Sequence, residues 1–246
     1  MKKLHWGNLR EEYENVVASE ALKKLHKGIN IKSGFFNDEI PEMELAYRYI
    51  RPEYSVLEFG GNIGRNSITI ASLLNKNRDG SVNLVTLETG DVSELRKNME
   101  SSGNKFTIIN AGLSKKDLYQ SGWVSGTTKD RRSQTKFAPE QRSESKDTAK
   151  PYNNKSAVNK ISLSEIYKIS GINKFDTLIV DCEGCFYDIT NDFPELLLNS
   201  KLIIIENDSQ AHNDHIRKNI LNAGFKSIFC GDHEGRQPCF YEVFTK

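Results

Sequence analysis

Val56-Leu57-Glu58-Phe59-Gly60-Gly61-Asn62-Ile63-Gly64 decides the fold. An apolar run that begins at Tyr54 stops at a glycine-rich turn, and Ile68, Ala71 and Leu74 then recur at helical spacing. Glycines let the chain turn sharply and let another group approach without a Cβ in the way. Such a turn also delivers the unpaired N–H groups of a helix N-terminus, which suit an anionic ligand. The dinucleotide fingerprint is G-x-G-x-x-G, whereas this stretch reads E-x-G-x-x-x-G. That spacing, with an acid two residues before the first glycine, favours S-adenosylmethionine over a dinucleotide. The same pattern also serves a strand–turn–helix whose glycines satisfy packing alone.

A second apolar run, Val82 to Leu87, ends in Glu88, thirty residues after Glu58. One strand–helix–strand unit has that length, so both acids fall near the carboxyl ends of neighbouring parallel strands, where open α/β sheets bind ligands. A carboxylate after the second strand can accept hydrogen bonds from the hydroxyls of a ribose. The alternation continues as helix 91–102, strand 105–111, helix 162–170, strand 175–181, a helical stretch near 186–198, strand 201–206 and helix 209–222. It closes with apolar runs Phe225 to Cys230 and Pro238 to Phe244, joined by about seven residues, which predicts an antiparallel hairpin. Leu118 to Ser125 suggests a further strand.

Two helical patterns precede the sheet, from Leu9 to about Lys27, stopped by Gly28, and from Pro41 through Tyr49. The expected organisation is an N-terminal helical extension over 1–40 and one α/β domain over 41–246. Inside the domain, Gly126 to Asn154 is polar, with seven Lys/Arg against four Asp/Glu between Lys129 and Lys150. It reads either as a solvated insertion or as a lid over an acidic or polyhydroxyl ligand.

The chain has 246 residues and a net charge of +1, so no global charge draws it to nucleic acid or an anionic membrane. Mean hydropathy is −0.57, and no apolar run approaches the ~20 residues of a membrane span. The basic start, Met1 to Trp6, lacks the apolar stretch of a signal peptide. A cytoplasmic protein is expected. Cys182 and Cys185 form a C-x-x-C, but Cys230 and Cys239 are too widely spaced for a zinc ribbon. All four are read as reduced packing cysteines.

Taken together, Glu58-Phe59-Gly60-Gly61-Asn62-Ile63-Gly64, Leu87-Glu88, Asn110-Ala111-Gly112-Leu113-Ser114, Ser162-Leu163 and Asp181-Cys182-Glu183-Gly184 resemble, in order and spacing, the FkbM-type methyltransferases. The resemblance runs from about Ser33 to Lys246. The family usually has Asp at the position of Glu58, Ala at that of Gly61, and an apolar residue at that of Cys182. The resemblance implies a Rossmann-like class I methyltransferase fold, with a seven-stranded mostly parallel sheet, and S-adenosylmethionine as methyl donor. It further implies O-methylation of a hydroxyl group, usually of a sugar or other natural product. Carried over by position, Gly60, Gly61, Asn62 and Gly64 hold the methionine part of the donor, with Asn66 beside them. Glu58 anchors its amino group, Glu88 and Thr89 serve the ribose, and Asn110, Ala111 and Gly112 lie at the adenine.

Methyl transfer to an alcohol needs an aligned acceptor and a group that takes the hydroxyl proton. Asp181 and Glu206 end the fourth and fifth expected strands, and Glu206-Asn207-Asp208 adds oxygen ligands of the kind hard cations prefer. Asp181, Glu206 and Asn207 therefore form a candidate site for Mg²⁺ or Mn²⁺, with Asp181 and Glu206 as candidate catalytic acids. His212, or else His215, is a candidate base or a surface histidine. The expected partner is a small-molecule or glycan acceptor, with no membrane and no nucleic acid. The rival readings are an RNA ribose 2′-O-methyltransferase and a non-catalytic donor-binding module. RNA binding would call for a basic face with stacking aromatics, and the insertion offers only Phe137 and Tyr152.

Overall fold

A computed structural model of the chain describes residues 19–116, 118–120, 137–139, 157–182, 184–207, 212–231 and 239–246. Seven strands form the main sheet: β1 (Val56–Phe59), β2 (Leu84–Leu87), β3 (Thr107–Ile109), β4 (Thr177–Val180), β5 (Leu202–Glu206), β6 (Lys226–Gly231) and β7 (Tyr241–Thr245). In space they run β3-β2-β1-β4-β5-β7-β6. The first five pair in parallel, and β7 lies antiparallel between β5 and β6. The doubly wound sheet with a terminal antiparallel hairpin is the fold class expected.

Around it stand α1 (Glu20–His26), α2 (Ile40–Tyr49), α3 (Arg65–Leu73), α4 (Ser93–Ser102), α5 (Leu163–Ser170), α6 (Phe186–Asp192), α7 (Pro194–Asn199) and α8 (Asn213–Asn222). A buried parallel strand shows alternate residues to opposite faces, and both faces here are apolar. Leu57, Phe59, Leu178, Val180, Ile203 and Ile205 pack with Ile166, Ile189 and Ile220 of α5, α6 and α8. Val56, Leu84, Ile179, Leu202 and Ile204 pack with Leu45, Ile68 and Leu95 of α2, α3 and α4. Glu58 and Glu206 have the parity of the second set, which sends them toward α3 and α2. The described part of the N-terminal extension packs on the domain through Leu22 and Met43.

The helix expected near 186–198 is two helices, because Pro194 starts a new one after Phe193. The strand expected from Leu118 is described over Leu118–Gln120, paired antiparallel with Phe137–Pro139 and with Ala157–Val158. The rest of the polar insertion, and the first helical pattern before Ser19, lie outside the described residues. Among the described residues, no helix is long and apolar enough to cross a membrane.

The cysteines correct the sequence reading. They are not reduced packing residues but two bridges, Cys182–Cys185 and Cys230–Cys239. The antiparallel β6–β7 pairing brings Cys230 and Cys239 to a Cα separation of 4.6 Å, and the turn after β4 brings the other two to 5.5 Å. Both fall in the range a disulfide spans.

Candidate functional site

At the carboxyl end of β1 the chain turns through Gly60 and Gly64, both at φ +91, and Asn62 at φ +46. Those left-handed values explain two of the glycines. The space around them explains all three, because a Cβ would overlap the Asp181 carbonyl oxygen at Gly60, Thr86 at Gly61 and Leu95 at Gly64. The glycine turn is therefore pressed against β4, β2 and α4, and packing alone already demands its sequence. It is also braced from outside. The fully buried Asn98 of α4 donates to the carbonyls of Ser33 and Ile63, and its Oδ1 accepts the N–H groups of Lys32 and Ser33.

Glu88 closes this half of the crevice. Its carboxylate accepts the N–H of Asn62 at 2.7 Å, of Thr89 at 2.8 Å and of Gly90 at 2.7 Å. Three bonds on about four lone-pair sites leave it room to accept one more. Asn110 sends its amide to the carbonyls of Glu88 and Gly90, which ties the ends of β2 and β3 together. Ala111 is buried beside it, and a Cβ on Gly112 would crowd Leu118 and Thr89. Glu58 lies inside rather than on the crevice wall. It is buried under α3, where Oε2 accepts Ser67 at 2.5 Å and Thr86 at 2.7 Å while Oε1 has no partner. Burial raises its pKa to about 7 against the pull of those two hydroxyls, with Glu39 and Glu88 adding to the rise. Oδ1 of the buried Asn66 is a second acceptor without a partner.

The other half of the crevice gathers acids. Asp181 follows β4, its N–H donating to the Phe59 carbonyl at 3.0 Å. Glu206 ends β5, and its side chain hydrogen-bonds that of Glu42, which is buried on α2. Burial pushes Glu42 upward, and the charge of Glu39 adds to it, while the Tyr241 hydroxyl bonds Glu42. Tyr241 is held far above its ordinary range by burial and by the charges of Glu42, Glu206 and Asp181. Glu42 Oε2 has no partner. Three residues earlier, Glu39 bonds Arg65 and Asn62, so the first turn of α2 joins the glycine turn to the acid pair.

Asp181 and Glu206 stand at the carboxyl ends of the neighbouring strands β4 and β5, and the charges of both act on Tyr241. Asn207 is buried with its amide donating to the Cys239 carbonyl at 2.7 Å, which clamps the β5 end to the hairpin. The side chain of Glu206 faces another carboxyl. Among the described residues no group of three or more His, Cys, Asp or Glu has an arrangement able to hold a metal ion. Glu183 and Asp208 lie outside the described residues. His212 and His215 both pack on Tyr187, each with ring centroids 4.6 Å apart, and His215 also bonds Asn191 at 3.1 Å. Those contacts tie them to the packing of α6 against α8. The sequence reading missed Glu42, Tyr241 and Asn98. The one signal for Glu42 was a pair of acids, Glu42 and Glu44, among the apolar positions of a short helix that buries them both.

Solved structures similar to this chain include a ribosomal protein L11 methylase from Lactobacillus delbrueckii subsp. bulgaricus, with 11% identity over 88% of this chain and 81% of that one, at a TM-score of 0.49. An O-methyltransferase from Bacillus cereus in complex with SAH is 11% identical over 96% of both chains, TM-score 0.48. TomG, an O-methyltransferase from Streptomyces achromogenes in complex with SAM, is 14% identical over 100% of this chain and 98% of that one, TM-score 0.47. No protein-family model matches the chain, and no curated protein does. The FkbM resemblance rests on the sequence motifs.

Proposed function

We propose that the chain is an S-adenosylmethionine-dependent O-methyltransferase of the FkbM type, acting on a hydroxyl of a sugar or glycan in the cytoplasm. The observation that supports the reading is the glycine turn at the carboxyl end of β1, with the Glu88 carboxylate on one side of it and the Asp181 carbonyl packed against Gly60 on the other. The residues present fit the donor. Glu58 Oε1 and Asn66 Oδ1 are buried acceptors without partners beside the glycine turn, suited to an ammonium group, directly or through water. Glu88 keeps acceptor capacity for a ribose hydroxyl. When bound, the donor supplies an activated methyl group.

The protein's own part is to orient the acceptor and take its proton. Orientation contributes on the order of 7–11 kcal/mol at best. A positioned base contributes about 10²–10⁴-fold. Asp181 and Glu206 stand at the strand ends for that task, with Glu42 of α2 against Glu206. Burial favours a proton on Glu42, and its Oε2, without a hydrogen-bond partner, is an atom able to take one once an acceptor opens access to it. An acid- and amide-lined half-crevice also suits the hydroxyls of a sugar.

Calorimetric titration with S-adenosylhomocysteine, with NAD⁺ as control, tests the donor. Binding of the first and not the second is expected, and failure of S-adenosylhomocysteine to bind folded protein would overturn the proposal. Transfer of labelled methyl from the donor to a glycan panel then identifies the acceptor. On that acceptor Asp181→Ala should lower turnover by about 10²-fold or more with donor affinity nearly unchanged. Near-normal turnover would remove Asp181 from the mechanism.

A further inference from the structure

Cys182 and Cys185 enclose two residues directly after Asp181. Cys182 is buried and Cys185 half-buried, and the Cys185 N–H donates to the Cys182 carbonyl at 3.1 Å, so the bridge closes a tight turn. On its upstream side the turn touches the donor half of the crevice, because the Asp181 carbonyl occupies the space a Cβ on Gly60 would need. On its downstream side Phe186 opens α6 and is buried against Phe59, ring centroids 5.7 Å apart. Any rearrangement of this turn therefore reaches Gly60, Phe59 and Asp181 together.

The bridge is a poor staple for the fold. Its cysteines are three residues apart, against nine for Cys230–Cys239, and a shorter ring restricts the unfolded chain less. In a reducing compartment the disulfides that do occur are mostly transient, catalytic or redox-sensing. Cys185 is the more exposed residue of the two and so the one an attacking thiolate reaches first, while Cys182 is buried.

We propose that Cys182–Cys185 is a reversible thiol–disulfide site whose oxidised form holds the crevice in its donor-binding shape. The proposal rests on the S-adenosylmethionine reading above. The partner is a dithiol reductant, either a small molecule or a protein. One of its thiolates attacks Cys185 Sγ, the Cys182–Cys185 bond breaks, and Cys182 leaves as a thiolate that takes up a proton. The second thiol of the reductant then attacks the mixed disulfide, displacing Cys185 as a thiolate that is protonated in turn. Two electrons and two protons pass to the pair, and the reductant ends as a disulfide.

The test is S-adenosylhomocysteine calorimetry on the full chain as purified without reductant, after dithiothreitol, and after reoxidation. Reduction is expected to weaken binding by about fivefold or more, and reoxidation to restore it. Because coupling is reciprocal, saturating S-adenosylhomocysteine should shift the disulfide-to-dithiol ratio of this pair by the same factor in a dithiothreitol redox buffer. Differential alkylation and peptide mass measurement read that ratio. Cys182→Ser/Cys185→Ser should bind like the reduced chain and ignore reductant, and should it fail to fold, the reduction and reoxidation of the unaltered chain decide the matter alone. Equal affinity in all three states overturns this proposal and leaves the methyltransferase reading standing. A response to reductant that persists in the double variant also overturns it, by assigning the effect to Cys230–Cys239. Absence of binding in every state overturns the donor reading and this proposal with it.

Discussion

Glu58 turns a packing detail into a pH dependence. Burial raises its pKa from the ordinary 4.5 to about 7, so the folded chain holds this proton more tightly than the unfolded one. Stability from that proton is complete below about 4.5 and is lost as pH rises through about 7. The difference corresponds to about 3 kcal/mol at the alkaline side. Glu58→Gln keeps an oxygen for the Ser67 and Thr86 hydroxyls but removes the charge. Urea unfolding between pH 5 and pH 8 should show the variant gaining on the parent as pH rises, and parallel curves would mean that Glu58 does not titrate in this range. Asn98 works differently, since all four of its hydrogen-bonding positions are filled and none of its surface is exposed. Asn98→Ala strands buried groups of Ser33 and Ile63 and should cost about 3 kcal/mol. It should also weaken S-adenosylhomocysteine, because the Ile63 carbonyl is part of the glycine turn. Loss of stability with intact affinity would confine Asn98 to the fold.

At the scale of elements, α5 gives the cleanest test of what local sequence determines. Ser162 accepts the N–H of Glu165 while the Glu165 side chain accepts the N–H of Ser162, a reciprocal cap on an eight-residue helix. Ser162→Ala should cost about 1 kcal/mol and lower the melting temperature by about 2–4 °C; an unchanged melting curve would mean that tertiary packing alone holds the helix. The same local signals made most of the fold legible. β1, β2, β4 and β5 are apolar runs ended by glycine or an acid, and each lies within the stretch its residues predicted, trimmed by one to three positions at the ends. The glycine turn and its contact with Glu88 were legible for the same reason, since Glu58 to Gly64 and Glu88 end neighbouring strands. What escaped depends on distant partners. Glu42 and Glu206 are 164 positions apart and meet only because α2 covers the end of β5. Asn207 reads as a ligand by residue type, while its amide N–H donates to the Cys239 carbonyl, thirty-two positions away, a contact the local sequence does not announce.

For the molecule as a whole, the two bridges lie at the same end of the sheet, the carboxyl end of its parallel strands. Cys182–Cys185 follows β4, and Cys230–Cys239 joins β6 to β7, with the Cys239 carbonyl held by Asn207. Glu206 ends the strand between them, so the ends of β4 and β5 are braced covalently on both sides while the glycine turn is braced by hydrogen bonds. Reading four thiols from a balanced, soluble-looking composition failed because spacing along the chain does not report which cysteines the sheet brings together. Chain-entropy reasoning then separates the two bridges by their contribution to stability. The ring closed by Cys230–Cys239 is the larger, and opening it should cost about 2–3 kcal/mol, which for a chain of this size is a fall of about 5–10 °C in melting temperature. Cys230→Ser/Cys239→Ser should therefore melt below Cys182→Ser/Cys185→Ser, and the parent treated with excess reductant should melt lowest. The reverse ranking would make the short bridge the structural one, and would count against its having been placed beside Asp181 to be opened and closed.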